Sequence, residues 1–157
     1  MSEKKRTTYP YARPSAMEAF FGLIVEEKGW KPGSITTKTL TSLGIAPSKE
    51  NETLACLKFL GIIDERGVPT DMFSALRKDF QPELAKAIRT KYEEVLDQIP
   101  ARRISQETLV AFFKSSGFVQ DTAEYQGALF VFLCQKAGIA LPNASTSFKR
   151  ARLTEPK

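Results

Sequence analysis

The sequence predicts a mainly α-helical protein with two tandem helix-turn-helix units of winged-helix type, the first with a rudimentary wing. Three observations predict this fold. Apolar residues recur at helical spacing along most of the 157 residues. Glycine and proline interrupt these periodic segments at short intervals, where helices end. The order of motifs in the first half also returns in the second half, which indicates a duplicated unit.

The chain divides into four predicted parts. An extended basic arm covers 1–14, a first helix-turn-helix unit covers 15–80, a linking helix and a second unit cover 81–140, and a disordered basic tail covers 141–157. The arm holds two prolines, and proline disfavours helix at the residue before it. The polar composition of the tail is typical of segments that do not fold.

The first unit is predicted to begin and end with a capped helix. Ser15 and Glu18 have the spacing of a capping box, which predicts a helix over 15–28. The last helix of the unit is predicted to start at Thr70 or Asp71, because both residue types favour the N-cap position.

Two helices joined by a tight turn lie between these ends. The first covers about 36–43, with Leu43 directed inward and Gly44 at its end. Ser48 is placed to cap the second helix, which runs to Leu60. This is the spacing of a helix-turn-helix, whose second helix presents its N-terminal residues to a partner.

A small hairpin or irregular loop follows the helix pair and forms the predicted wing. The sequence IIDERGVPT places an apolar pair before a polar turn that ends in Gly67. Arg66 lies at the tip of this turn, where it can enter a minor groove or hold a phosphate. Asp64 and Glu65 stand beside it, so a solvated turn without a ligand is the alternative.

The second half contains a linking helix and another helix pair. Prolines near its start and beyond its end bound a helix over 82–98. Two further helices are predicted over 104–118 and 120–139, and the second opens with Asp121 and Glu124 at capping-box spacing. Its segment ALFVFL makes it apolar nearly all round, which is typical of a helix buried in a core or in an interface.

Motifs of the first helix pair recur in the second pair. Each pair has a similar start, a glycine in or after its turn, a Phe-Leu dipeptide in the longer helix and a Gly-Ile end. The matching segments are 35–40 with 104–109, Gly44 with Gly117, 59–60 with 132–133, and 61–62 with 138–139. The repetition indicates a duplicated unit, and two unrelated helical hairpins with common capping chemistry are the alternative.

Positive charge is concentrated at the two ends of the chain. The net charge is +5, and the arm and the tail each contribute +3, which leaves 15–140 at −1. The isoelectric point near 9.2 suits a nucleic-acid-binding protein, but it depends on the two ends. Tyr9, Tyr11 and Phe148 stand among these cations. Such segments can hold phosphates and stack on bases, and they are equally suited to docking on a protein.

The leading prediction is a non-catalytic regulatory or accessory protein that binds nucleic acid, DNA in particular. The start of helix 49–60 would face the groove, while the two ends hold phosphates. Glu50 and Glu52 leave this helix without net positive charge, so it would supply shape more than affinity. The predicted contacts are Lys4, Lys5, Arg6, Lys49, Asn51, Thr53, Arg66, Lys149, Arg150 and Arg152.

The alternative prediction is a protein-interaction adaptor or homodimerising module with the same fold and no nucleic-acid contact. It would use apolar positions of the second unit that are exposed to a partner. The predicted interface residues are Phe112, Phe118, Tyr125 and Phe130.

Catalysis, a metal and a cofactor are not expected. Histidine is absent, and Cys56 and Cys134 each lie in an apolar helical pattern, so the usual metal ligands and general base are missing. Neither a phosphate-binding loop nor a nucleophile elbow is present. No stretch of about 20 apolar residues predicts a membrane span. The arm does not have the pattern of a secretory signal. The two cysteines are expected to be free thiols in a reducing cytoplasm, and a structural pair is the alternative.

Three stretches resemble a family of prokaryotic proteins that is classed only as a domain of unknown function. They are TTYPY at 7–11, LKFLGIID at 57–64 and the turn GVPT at 67–70. The resemblance covers roughly 5–140 and implies the two-unit helical fold. It implies no activity and no catalytic residue.

Overall fold

The computed structural model describes residues 8–144, which fold into eight α-helices. They are α1 Pro14–Glu26, α2 Thr37–Leu43, α3 Glu50–Phe59, α4 Asp71–Lys78, α5 Phe80–Lys91, α6 Glu93–Gln98, α7 Gln106–Ser115 and α8 Gln120–Ala137. One turn of 3₁₀ helix, Ala101–Arg103, precedes α7. The mainly helical class is confirmed for this part of the chain. None of the eight helices combines the length and apolar character that a membrane crossing requires.

Helix α8 is the centre of the fold. Helices α1, α5 and α7 pack against it, and every residue over 126–134 is buried. A helix that is apolar on all sides is stable when other elements pack against every side of it. The sequence left a core and an interface as alternatives for this helix, and the structure buries it in the core of its own chain.

The segment 8–13, predicted as part of a basic arm, packs into the core instead. It has no regular secondary structure, as predicted, but Tyr9 is only 2% exposed. The Tyr9 ring stacks on Tyr92 at a centroid distance of 5.5 Å and meets Phe113 edge-on at 5.2 Å. Burial of a large aromatic ring stabilises the folded state, and it leaves Tyr9 unavailable for the stacking on bases expected of the arm.

The linking helix predicted over 82–98 is divided at Tyr92 into α5 and α6. The N–H of Tyr92 closes α5 on the carbonyl of Ile88 at 2.8 Å, and the Tyr92 carbonyl accepts from the N–H of Leu96 at 3.1 Å. The Tyr92 ring is fully buried, 4.8 Å from that of Phe130 between centroids. The break therefore lies at a packed aromatic residue, which the regular spacing of apolar residues does not predict.

The two matching helix pairs begin with the same capping geometry. The Thr36 hydroxyl accepts from the N–H of Thr39, and the Thr39 side chain accepts from the N–H of Thr36. Ser105 and Thr108 repeat this exchange at the start of α7. The similarity between the two pairs thus extends from the sequence to hydrogen bonding.

Three predicted caps are wrong. Pro14 opens α1, so Ser15 already lies inside the helix and Arg13 precedes it without a side-chain cap. Ser48 has a φ of 70° and stands outside α3, which follows Lys49. Val119 precedes α8, where neither member of the predicted Asp121–Glu124 box caps the helix.

Leu43 corrects a further prediction, because it does not face inward. It is 39% exposed in the last turn of α2, whereas Leu40, one turn earlier, is fully buried. Gly44 ends the helix immediately afterwards with a φ of 72°. The chain turns before a second helical residue can reach the core.

Candidate nucleic-acid interface

Helices α2 and α3 form a tight helical pair around a short turn. Ile45 is 4% exposed, and its N–H donates to the carbonyl of Leu40 at 2.9 Å. The Thr41 hydroxyl donates to the carboxylate of Glu50 at 3.0 Å and so links the two helices. Hydrogen bonds from the Glu50 backbone and from Thr41 lower the pKa of Glu50. One of the two glutamates at the start of α3 is thereby held against α2.

The segment 62–70 turns back on itself as a short hairpin, one of the two forms predicted for it. Ile63 and Pro69 form an antiparallel bridge. The Asp64 carboxylate accepts from the N–H groups of Arg66 and Val68, both at 2.9 Å, and these hydrogen bonds lower the pKa of Asp64. An acidic residue of this turn therefore has a local structural role.

The hairpin is fixed to the segment before α2 by a close backbone contact. The N–H of Ile35 donates to the carbonyl of Gly67 at 2.8 Å. Gly67 has a φ of 88°, and a Cβ atom there would lie 2.6 Å from the Ile35 carbonyl oxygen. Only glycine fits this contact without displacing the backbone.

Arg66 projects from the tip of the hairpin. Its side chain is 81% exposed, and its Nη2 atom lies 3.8 Å from Asp64 Oδ2. An exposed ion pair at this distance holds the guanidinium only weakly. Arg66 is thus accessible to a phosphate, as its predicted role requires.

The start of α3 presents fewer residues than predicted. Asn51 is exposed, and Lys49 is half-buried. Thr53 is fully buried, and its hydroxyl donates to the carbonyl of Lys49 at 3.4 Å. A contact of Thr53 with nucleic acid is therefore excluded in this conformation, because its side chain points into the protein.

The N-terminal segment runs beside the exposed side of α3. Thr8, Tyr9, Pro10 and Tyr11 line a cleft of about 200 Å³ together with Asn51, Glu52 and Ala55. The first described residues of the chain thus lie next to the helix that carries Lys49 and Asn51. The predicted contacts Lys4, Lys5, Arg6, Lys149, Arg150 and Arg152 lie outside the described residues.

A groove continues from this cleft around Arg13 and Lys49, and we name it the Arg13–Lys49 groove. One part, of about 520 Å³, lies between the start of α1 and the turn from α2 to α3. A second part, of about 220 Å³, reaches the start of α8. Both parts include Arg13 and Lys49. Other lining residues are Tyr11, Ser15, Ser48, Glu52, Asp121, Thr122 and Tyr125.

Among the described residues, the lining of the larger part of the groove has two cations and no acidic residue, which favours an anion there. Arg13 and Lys49 immediately precede α1 and α3, and neither helix start has a side-chain cap. The helix dipole adds positive potential at the start of α1, whereas at the start of α3 the Glu50 carboxylate accepts from its own backbone N–H and offsets the dipole. Within residues 8–144, neither cation forms an ion pair. Glu52 and Asp121 line the second part, so the groove is mixed rather than uniformly basic.

The residues predicted for a protein interface lie mostly inside the protein. Phe130 is fully buried against Tyr92, and Phe112 is 7% exposed beside Phe113. Phe118 and Tyr125 are half-buried. The prediction that all four are exposed is wrong, because α7 and α8 use their aromatic faces to pack within the chain. Of these four, Tyr125 alone lines the Arg13–Lys49 groove.

Sequence reasoning did not place several groove residues in a site. Arg13 and Tyr11 were noted only as part of the arm, and Ser48 and Thr122 were not considered as ligands. They are brought together by the insertion of the N-terminal segment between α3 and α8, which no local pattern predicts. One usable signal was Pro14, since proline at the first helical position marks Arg13 as the residue before the helix.

Comparison with known proteins identifies the family. A model of DUF5343, described as a family of unknown function, matches residues 10–140. The resemblance to a family of unknown function is confirmed, while the motif at 7–11 lies mostly before the match and a prokaryotic origin stays a prediction. A comparison with curated proteins and one with solved structures each found no match. Because the match covers most of its length, the chain belongs to DUF5343, a family of unknown function.

Proposed function

We propose that this protein binds nucleic acid, duplex DNA in particular, as a non-catalytic regulatory or accessory protein. The main support for this proposal is the arrangement of α2, α3 and the hairpin at 62–70. The hairpin is joined by a backbone hydrogen bond to Ile35, just before α2. A winged helix has the same order of a helix, a short segment, a helix pair and a hairpin. This arrangement supports a winged-helix assignment for the first unit. For the second unit, the shared capping geometry supports a related helix pair without a wing.

In this proposal the N-terminal half of α3 enters the major groove. Asn51 is the exposed residue suited to a base edge, since an asparagine amide can pair with adenine through two hydrogen bonds. Lys49 at the start of α3 and Arg66 at the hairpin tip are proposed to contact phosphates. The wing thereby contacts the backbone beside the groove that α3 occupies.

Most of the affinity is expected to come from the two ends of the chain. Residues 15–140 have a net charge of −1, and Glu52 stands near the proposed contact. Phosphate neutralisation supplies most non-specific affinity for DNA. The cations of 1–14 and 141–157 are therefore the main source of binding free energy in this proposal, while α3 orients the protein on the duplex.

Fluorescence anisotropy with a labelled duplex tests the proposal. Affinity should fall steeply between about 50 and 200 mM salt, because each neutralised phosphate adds to the salt dependence. Neutralising Lys4, Lys5 and Arg6 together should abolish most of the binding. In the matched control, three exposed cations of α5 are neutralised instead, and duplex binding should be retained. These cations are Lys86, Arg89 and Lys91. Absence of binding by folded protein at tens of micromolar in low salt would contradict the proposal.

The protein-interaction alternative stays a prediction. Its proposed contacts Phe112 and Phe130 are core residues, so it would need another surface of the chain. Light scattering in the absence of nucleic acid distinguishes it from the proposal. A concentration-dependent dimer without duplex binding would favour the alternative, whereas a monomer that binds duplex supports nucleic-acid binding.

A further inference from the structure

We propose that the Arg13–Lys49 groove binds a nucleotide, through its phosphate at the cations and its base at the tyrosines. The ligand class is a phosphate ester that carries an aromatic base. It can be supplied by a free nucleotide or by one residue of a nucleic-acid strand. In the second case the inference rests on the proposed function, and in the first case it stands without it.

The phosphate position is defined by two cations and two hydroxyl groups. Arg13 and Lys49 occur in both parts of the groove and therefore stand where the two parts meet. Ser15 and Ser48 line the larger part beside them. A guanidinium donates two parallel hydrogen bonds to a phosphate, and an ammonium adds a compact charge. The larger part therefore offers both charged and neutral hydrogen-bond donors to a phosphate.

The base position is defined by the two tyrosines at the smaller end. Tyr11 is 44% exposed and Tyr125 is half-buried, and both line the part that also contains Arg13 and Lys49. Exposed aromatic rings next to cations stack on bases of any sequence. Glu52 in the same part can accept a hydrogen bond from an exocyclic amino group or a ribose hydroxyl. A simple anion would use neither the rings nor this carboxylate.

The size of the groove fits this ligand. Its two parts, of about 520 and 220 Å³, together fall within the range of roughly 300–1,000 Å³ typical of small-molecule sites. The third cleft, of about 200 Å³, shares Tyr11 and Glu52 with the smaller part. A strand can therefore pass from the groove along α3, whereas a free nucleotide would fill only the first two parts.

One wall of the groove is held in a strained conformation. Ala46 and Ser48 have φ angles of 54° and 70°, in the left-handed region that residues other than glycine rarely adopt. Both line the larger part. Non-glycine residues in this region persist only where the surrounding structure imposes it, and they cluster at ligand sites. The turn that carries Ser48 is thus held in its conformation by the surrounding structure.

Amide chemical shifts during titration test the inference in three arms. The probes are adenosine 5′-monophosphate, inorganic phosphate, and a single-stranded oligonucleotide of about six residues. We expect the nucleotide and the oligonucleotide to shift the amides of Tyr11, Ser48, Lys49 and Tyr125. Inorganic phosphate should bind at least about tenfold more weakly than the nucleotide, because it lacks the stacking contact.

Two variants and a control separate the two ends of the site. Arg13→Gln should weaken nucleotide and phosphate binding by about tenfold, as expected for the loss of one charge-assisted contact. Tyr11→Ala should weaken nucleotide binding and leave phosphate binding unchanged. Lys58→Gln on α3, a residue that lines no part of the groove, should change neither. Lys49→Gln repeats the charge test if Arg13→Gln does not fold.

Several outcomes would overturn the inference. One is the absence of amide chemical-shift changes with nucleotide at about 10 mM, a concentration above the dissociation constant of even a weak site. Equal affinity for nucleotide and inorganic phosphate would show that the base makes no contribution and that the groove binds only an anion. Insensitivity to both Arg13→Gln and Lys49→Gln would place binding elsewhere. Nucleotide binding without duplex binding would refute the proposed function but not this inference. Duplex binding without nucleotide binding would refute this inference but not the proposed function.

Discussion

The side-chain amide nitrogen of Gln126 donates a 3.0 Å hydrogen bond to the backbone carbonyl of Tyr9, across 117 positions of the chain. Both residues are buried. The bond fixes the N-terminal segment against α8 while the Tyr9 ring stacks on Tyr92. Because Tyr9 also contacts Phe59 at the end of α3, this segment joins α3 to α8, and its residues Tyr11 and Arg13 line the Arg13–Lys49 groove.

Replacement of Tyr9 should therefore destabilise the whole fold. Tyr9→Ala removes a ring that is 2% exposed, and such truncations cost about 3–5 kcal/mol. The matched control is Tyr11→Ala, two residues later, where the ring is 44% exposed and the cost should stay below about 1 kcal/mol. Urea unfolding followed by circular dichroism measures both. Equal losses in the two variants would contradict the role assigned to Tyr9.

A glycine substitution in the hairpin should be similarly damaging. Gly67→Ala forces a left-handed φ of 88° on alanine and places its Cβ atom 2.6 Å from the Ile35 carbonyl oxygen. We expect a loss of about 2 kcal/mol or more in the free energy of unfolding, since backbone strain and a steric clash add. Gly33→Ala is the control, because no atom lies within 4 Å of its Cβ position and its φ is not left-handed. A loss at Gly67 no greater than that at Gly33 would disprove the close contact.

The sequence predicted the parts of the fold that depend on local chemistry. The all-round apolar helix, the Thr70 cap of α4 and the glycine at the end of α2 follow from the periodicity and capping rules. The cap assigned to Ser15 was wrong, because Pro14 can open a helix and moves its start. Local rules give several acceptable starts, and only the packed structure selects one.

The groove could not be predicted for a different reason. Its walls come from the N-terminal segment, the turn before α3 and the start of α8. These meet because the Tyr9 ring is buried, and the sequence shows Tyr9 only as an aromatic residue among cations. Lys49 was predicted as a contact and Arg13 entered only the net charge of the arm, because their proximity is a tertiary property. The same limit explains why Phe112 and Phe130 were assigned to an interface rather than to the core.

Arg77 should stabilise the end of α1 from a distant position. Its Nε atom donates to the carbonyl of Ile24 and its Nη2 atom to that of Glu27, both at 2.8 Å. The Ile24 carbonyl belongs to the last turn of α1, where carbonyls lack helical partners, and Glu27 is the residue after the helix, whose carbonyl also accepts from the N–H of Trp30 at 2.9 Å. Arg77→Ala should lower the free energy of unfolding by about 2 kcal/mol, because it removes two charge-assisted hydrogen bonds. Lys78→Ala, at an exposed neighbour, should have little effect in the same urea titration. Equal effects would refute this capping role.

Stability should fall steeply in alkaline solution because of three buried groups. Burial raises the pKa of Cys134 from 9.0 to about 12 and raises the pKa of Cys56 further. Burial, followed by the nearby thiols, also raises the pKa of Tyr92. The folded state therefore keeps these protons at a pH where the unfolded state has lost them. The stabilisation is complete below about pH 9 and is lost as the pH rises toward the folded values.

This pH dependence can be measured with matched variants. Each thiol should contribute a loss of about 1.4 kcal/mol per pH unit above pH 9. Urea unfolding between about pH 8 and 11 should show the fall in wild type, and it should be shallower in Cys56→Ala with Cys134→Ala, where only Tyr92 and surface groups titrate. Thiol reactivity provides a second measurement. The buried thiols should resist Ellman's reagent near pH 8 in the native protein and react after unfolding. An unchanged slope in the double variant would mean that the thiols do not control alkaline stability.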